Sequence, residues 1–157
     1  TLANPANADV HLGSFYHLAF AKKVVDTFSE SRHHDMHRVI MFQGMEGYDD
    51  IRPGFTKVAE WTNDEFTDYG IETAEYGMDF EAEDLHVDDI ADGSAAITEA
   101  VVAGDRNDQF ADAIALNAAL RIYAREDVDS IDEGLTAARE AIADGSAAAV
   151  LDDLQAF

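Results

Sequence analysis

Two adjacent carboxylates, Asp49 and Asp50, close the glycine-flanked stretch Gly44-Met-Glu-Gly-Tyr-Asp-Asp50, with Glu46 close by. Mg2+ takes oxygen ligands and keeps several of its waters, so one or two carboxylates together with substrate phosphates suffice to hold it. A pair of acids in a turn is suited to that task. The chain has 33 acidic residues, however, and Asp88-Asp89 and Asp152-Asp153 are further pairs, so hydrated surface is the competing reading. Arg52, in Arg52-Pro53-Gly54, presents a planar fork of donors that suits phosphate or carboxylate, or else it stabilises the turn. His33, His34 and His37 have a spacing that could bring two imidazoles onto one side of a helical turn for a transition metal; solvated histidines in a polar segment are the alternative. The sequence contains no phosphate-cradling glycine loop with basic support and no Ser/His/Asp constellation. The chain therefore carries at most part of a site.

The elements that must position these residues follow from hydrophobic periodicity. Residues 9–15 read as a short strand ended by Gly13-Ser14, and residues 17–29 as a helix whose buried stripe is Leu18, Phe20, Ala21, Val24, Val25 and Phe28. Arg38-Val-Ile-Met-Phe-Gln43 is a continuous apolar run, the pattern of a strand buried on both faces. Its carboxyl end leads straight into the acidic loop, and open α/β sheets place ligands at the carboxyl ends of their strands. Residues 56–61 and 65–73 alternate around Asn63-Asp64 as a hairpin. Helices are expected at 94–103, 108–124, 130–144 and 147–154, with Gly104 and Gly145 at helix ends. The phrase Asp-Gly-Ser-Ala-Ala, at Asp92 and again at Asp144, reads as local capping rather than duplication. Phe15-Tyr16, Trp61, Tyr69 and Tyr76 fall at apolar positions and read as packing. The fold class is α/β: a mostly parallel sheet flanked by helices, with a β-hairpin and a helical carboxy-terminal region.

Composition restricts the partners. The formal net charge is -23, with 33 acidic against 10 basic residues, of which only three are lysines, in a chain of 157 residues that is 47% hydrophobic. That apolar content is enough to bury a core, so disorder does not explain the charge. The acids are spread along the chain, as in a folded protein whose carboxylates stay hydrated in concentrated salt, where the Debye length falls to about 3 Å. A halophilic, cytoplasmic protein is the expectation. Nucleic acid is excluded as the expected partner by the lack of Lys/Arg clusters. There is no cysteine, and no apolar stretch approaches the length of a membrane span.

Several segments, in order, resemble the anthranilate phosphoribosyltransferase family. Leu2-Ala-Asn-Pro-Ala6 is similar to its GPLTNPA segment, and residues 38–60 are similar to a strand followed by its acidic pair, which falls on Asp49 and Asp50. Glu75-Tyr-Gly-Met78, Leu116-Asn-Ala-Ala119 and Ser130-Ile-Asp-Glu-Gly134 match later motifs, as does Ala138-Arg-Glu-Ala-Ile-Ala-Asp-Gly145. The resemblance implies the nucleoside phosphorylase/phosphoribosyltransferase-like carboxy-terminal domain. It further implies Mg2+ at Asp49 and Asp50, a substrate contact from Asn4, and transfer of phosphoribosyl from phosphoribosyl pyrophosphate (PRPP) to anthranilate or a related aromatic amine in tryptophan biosynthesis. Arg52-Pro53 departs from the family's Ser-Pro type continuation, so the substrate contact of Arg52 rests on its guanidinium chemistry. On this reading residues 1–157 are a fragment of a longer, homodimeric protein whose amino-terminal helical domain lies upstream, and the isolated chain is inactive. Gln43-Gly-Met-Glu-Gly stands where the family has HGxG, which leaves open a divergent, non-catalytic paralogue acting in binding or regulation.

Overall fold

The computed structural model describes residues 7–31, 36–44 and 51–157. The chain forms two compact units, Thr1–Asp79 and Phe80–Phe157.

The first unit is a four-stranded sheet in the order β1-β2-β3-β4, with β1 at Val10–Ser14, β2 at Arg38–Phe42, β3 at Phe55–Thr62 and β4 at Glu65–Glu72. All five residues of β2 are buried, as its unbroken apolar run requires of an interior strand. β1 and β2 pair in parallel, which the intervening helix α1 (Leu18–Ser29) makes possible as a crossover. β2 and β3 pair antiparallel, as do β3 and β4 of the hairpin, so parallel pairing in the described sheet is confined to β1–β2. The hairpin turn is Asn63-Asp64, both at positive φ (50° and 62°), the backbone twist that matches two right-twisted strands.

α1 covers one face of this sheet. Ala21, Val24, Val25 and Phe28 recur at helical spacing and are buried together with Phe15, Met36, Val39, Met41 and Ala59. Trp61 and Phe66 pack against the same cluster, and the His11 ring lies 4.6 Å from that of Phe28. Full burial of a Val or Phe side chain contributes about 1.5–3 kcal/mol. Phe20, expected within the helical stripe, is 56% exposed, because the stripe that faces the strands is narrower than the apolar pattern. Tyr16, expected in packing beside Phe15, is 82% exposed: it follows Phe15 in the bend between β1 and α1, after the last residue that the sheet orients.

The opposite face of the sheet holds a charged cluster that periodicity did not single out. Arg38 at the start of β2 donates from Nε to Glu60 Oε1 of β3 at 2.8 Å, and from Nη2 to the same oxygen. Tyr69 of β4 donates its hydroxyl to Glu60 Oε2 at 2.9 Å. Arg38 and Glu60 are each only 5% exposed. Three neighbouring strands thus each supply one member. Such pairing is the condition under which charges tolerate burial.

The second unit is helical: α2 (Ile90–Val102), α3 (Gln109–Ala124), α4 (Ile131–Ala143) and α5 (Ser146–Ala156), preceded by a short 3-10 turn at Ala82–Leu85. Side-chain oxygens set three of the helix starts. Asp89 accepts from the N–H groups of Ala91 and Asp92, Asp108 from Phe110 and Ala111, and Ser130 from Glu133. The Asp89 cap starts α2 four residues before the expected 94, so Gly93 and the first Asp-Gly-Ser-Ala-Ala lie inside a helix; only the second copy, at Asp144, marks helix ends. Leu116, Ala119 and Leu120 of α3 are buried, as are Ile131, Leu135 and Ala138 of α4. These two helices cross so closely that a Cβ on Gly134 would lie 2.6 Å from the carbonyl oxygen of Ala119. Glycine is required there by backbone approach.

Candidate functional site

The carboxyl ends of the parallel pair are held together. Phe15 donates its N–H to the carbonyl of Phe42 at 2.9 Å, so the exit of β1 is tied to the exit of β2. Gln43, one residue past β2, donates to the carbonyl of Lys57 at 2.8 Å and extends the β2–β3 ladder to the mouth of the acidic loop. Asp49, Asp50 and Glu46 lie outside the described residues, as do Asn4, His33 and His34.

The return of the chain from that loop is fixed at three successive points. Ile51 is buried at 4% exposure. The N–H of Arg52 donates to the hydroxyl of Thr56 at 3.0 Å, and that hydroxyl donates back to the Arg52 carbonyl at 3.3 Å. Gly54, at φ +75°, donates to Thr73 Oγ1 at 3.1 Å and accepts from the Thr73 N–H at 2.9 Å. Thr56 and Thr73 are themselves buried, so the frame is internal to the fold. The backbone of Arg52 is pinned while the residue is exposed, an arrangement that leaves its guanidinium on the surface one residue after the acidic loop returns.

These bonds fix the chain on both sides of residues 45–50: Gln43 before them, Arg52 to Gly54 after them. The sequence had marked the acids and the arginine. It had not marked Thr56 and Thr73, whose hydroxyls do the anchoring; the available signal was a threonine at an inward position on each side of the hairpin. Among the described residues no group of three His, Asp or Glu could hold a metal ion. His37 is exposed and its backbone N–H bonds to the carbonyl of Asp9 at 2.7 Å, as the residue leading into β2.

Residues 1–148 match the model of the glycosyl transferase family, a/b domain. The chain belongs to this family. Among curated proteins, the anthranilate phosphoribosyltransferase of Haloarcula marismortui is 32% identical over 98% of this chain and 45% of its own length. That of Paraburkholderia phymatum is 31% identical over 99% of this chain and 45% of its own. The chain therefore spans a little under half the length of the curated relatives it matches. The crystal structure of anthranilate phosphoribosyltransferase from Thermus thermophilus superposes with a TM-score of 0.76 at 25% identity, covering 96% of this chain and 43% of that one. The enzyme from Saccharomyces cerevisiae, in complex with 4-fluoroanthranilate, shares the fold at a TM-score of 0.71 and 19% identity. The α/β fold and the resemblance expected from the sequence motifs are both met. Among the described residues, no helix is long and apolar enough to cross a membrane.

Proposed function

We propose that the full-length protein is a Mg2+-dependent phosphoribosyltransferase that transfers phosphoribosyl from PRPP to anthranilate or a related aromatic amine, as a step of tryptophan biosynthesis. The observation that carries this reading is the family match over residues 1–148, with relatives named as anthranilate phosphoribosyltransferases. In the transfer the amine nitrogen forms a bond to the anomeric carbon while the bond to pyrophosphate breaks, so negative charge gathers on the leaving group. A Mg2+ ion, when bound, would supply electrostatic stabilisation of that charge. Asp49 and Asp50 are the residues assigned to hold it, Arg52 and Asn4 to contact the anionic substrate. The described flanks support the assignment, because Gln43 and residues 52–54, on either side of these acids, are held by bonds to β3 and to Thr73. Residues 1–157 are assigned as the carboxy-terminal domain of a longer, homodimeric cytoplasmic protein, and the isolated chain is expected to show no turnover. The excess of acidic residues supports a salt-rich working environment.

A second reading rests on Gln43-Gly-Met-Glu-Gly, which replaces the histidine of the family's HGxG: a paralogue that binds without catalysing transfer. Calorimetry tests the PRPP site that the first reading requires, and turnover of PRPP by the full-length protein separates the two readings. Mg2+-dependent PRPP binding by the full-length protein in molar KCl, abolished by the paired changes Asp49→Asn and Asp50→Asn, establishes the transferase site; no PRPP binding by the intact protein removes it.

A further inference from the structure

The helical unit is uneven both in charge and in depth of burial. Its four basic residues, Arg106, Arg121, Arg125 and Arg139, all lie in or beside α3 and α4, and each is engaged. Arg106 pairs with Asp108 at 2.6 Å and stacks over the Phe110 ring at 4.4 Å. Arg139 reaches from α4 to Asp112 of α3 at 3.0 Å. Arg125 pairs with Asp127 at 3.3 Å, and Arg121 donates to the Asn117 carbonyl at 2.9 Å. By contrast, residues 81–105 and 140–157, which contain α2 and α5, hold twelve acidic residues and neither lysine nor arginine.

Burial follows the same division. α3 buries five residues and α4 buries four. α2 buries Val101 alone, and α5 buries none while Val150 and Leu154 stand 59% and 70% exposed. α2 and α5 meet near their carboxyl ends, where Gln155 donates to Glu99 Oε1 at 3.3 Å. Glu99 lies in the last turn of α2. Asp152 and Asp153 lie in the last turns of α5, Asp152 on the helical face of Gln155 by its spacing of three. Two helix carboxyl ends, each carrying about half a negative charge, thus converge beside Glu99 and Asp152, with no basic side chain from either helix.

We infer that α2 and α5 form a salt-conditional layer on the α3–α4 pair, docked when mobile cations screen this junction and released at low ionic strength while α3–α4 stays folded. At about 0.1 M salt the Debye length is about 10 Å, longer than the spacing across two packed helices; at 1 M it is about 3 Å, and the repulsion at the junction is largely removed. α5 has 11 residues, too short to hold a helix in water once undocked. The apolar contact opposing release is small, as the single buried residue of the two helices shows.

Hydrogen exchange resolved by peptide, on the full protein in about 0.1 M and about 2 M KCl, tests this. Amides of Ile90–Val102 and Ser146–Ala156 are expected to lose protection at low salt, while Gln109–Ala124 and Ile131–Ala143 keep theirs. The triple change Glu99→Gln, Asp152→Asn, Asp153→Asn is expected to retain α2 and α5 protection at lower KCl than the parent. Equal protection of α2 and α5 in both salts overturns the inference, as does simultaneous loss from all four helices. So does an unchanged KCl requirement in the triple variant, since salt would then be acting through apolar burial rather than charge.

Discussion

The sheet unit and the helical unit handle charge in opposite ways. Thr1–Asp79 contains 14 acidic and 6 basic residues and, among its described residues, takes the ion pair Arg38–Glu60 into its interior. Phe80–Phe157 contains 19 acidic and 4 basic residues and buries no charged side chain. A strand presents residues to both faces and can deliver an arginine, a glutamate and a tyrosine from three neighbours to one point, where each satisfies the others. Alanine-rich helices approach by their backbones, as at Gly134 and Ala119, and leave no room for a buried polar group. The sheet unit should therefore be broken by deleting a charge, and the helical unit by adding volume.

The largest effect is expected at the buried pair. Arg38→Met strands Glu60 with a desolvated carboxylate and should cost about 3–5 kcal/mol, whereas Arg38→Met combined with Glu60→Leu should cost much less, because no charge is then left buried. Urea denaturation of the two variants in molar KCl measures both; equal costs would mean that the charges contribute nothing beyond their packing. Next, Gly134→Val forces α3 and α4 apart and should cost about 3 kcal/mol, the upper range for overpacking, with loss of helical signal in the same experiment. A cost near zero would show that the helices can slide, and would remove the contrast between the units.

Smaller effects sharpen the comparison at helix ends. Asp108→Ala removes a cap from the amide groups of Phe110 and Ala111 and should lower stability by about 1 kcal/mol, read as a shift of the denaturation midpoint at constant slope. The smallest effect belongs to Asp144, where the Ser146 amide, and secondarily its hydroxyl, hold the carboxyl below its usual range of 3.8. Because its folded pKa is depressed, its contribution is complete above the unfolded value and is lost as pH falls through the folded one. NMR titration should show the Ser146 amide shifting in that acidic window, and Asp144→Ala should remove the transition without unfolding α3 or α4.

The strand that leads to the candidate site was legible in the residues. The apolar run before Gln43 fixed an interior strand, so the acidic loop had to leave its carboxyl end, and the motif order pointed to the family that residues 1–148 match. The anchoring of that loop was not legible. Thr56 bonds to a residue four positions away, but Thr73 reaches Gly54 across the hairpin, and nothing in the identity of a threonine says which distant amide it will meet. The early start of α2 was legible in principle: Asp89 is a capping residue, but Gly93 in the first turn argued against helix, and the two amides bound by Asp89 outweighed it.

The sequence alone determined the local elements, since caps, turn residues and periodicity act within a few residues of chain. It also determined the charge, and with it the expectation of a salt-dependent surface. Tertiary structure decided strand direction, register and exposure. Ile40 opposite Glu60 brings Arg38 within bonding distance of that glutamate, and a slip of one residue would turn Arg38 to the α1 face, away from Glu60 and towards the cluster of Val25, Phe28 and Ala59. The same pattern of residues admits either register. The two differ in which side chains of β2 face α1 and in whether a buried charge finds its partner, and that is settled by which strand lies beside which.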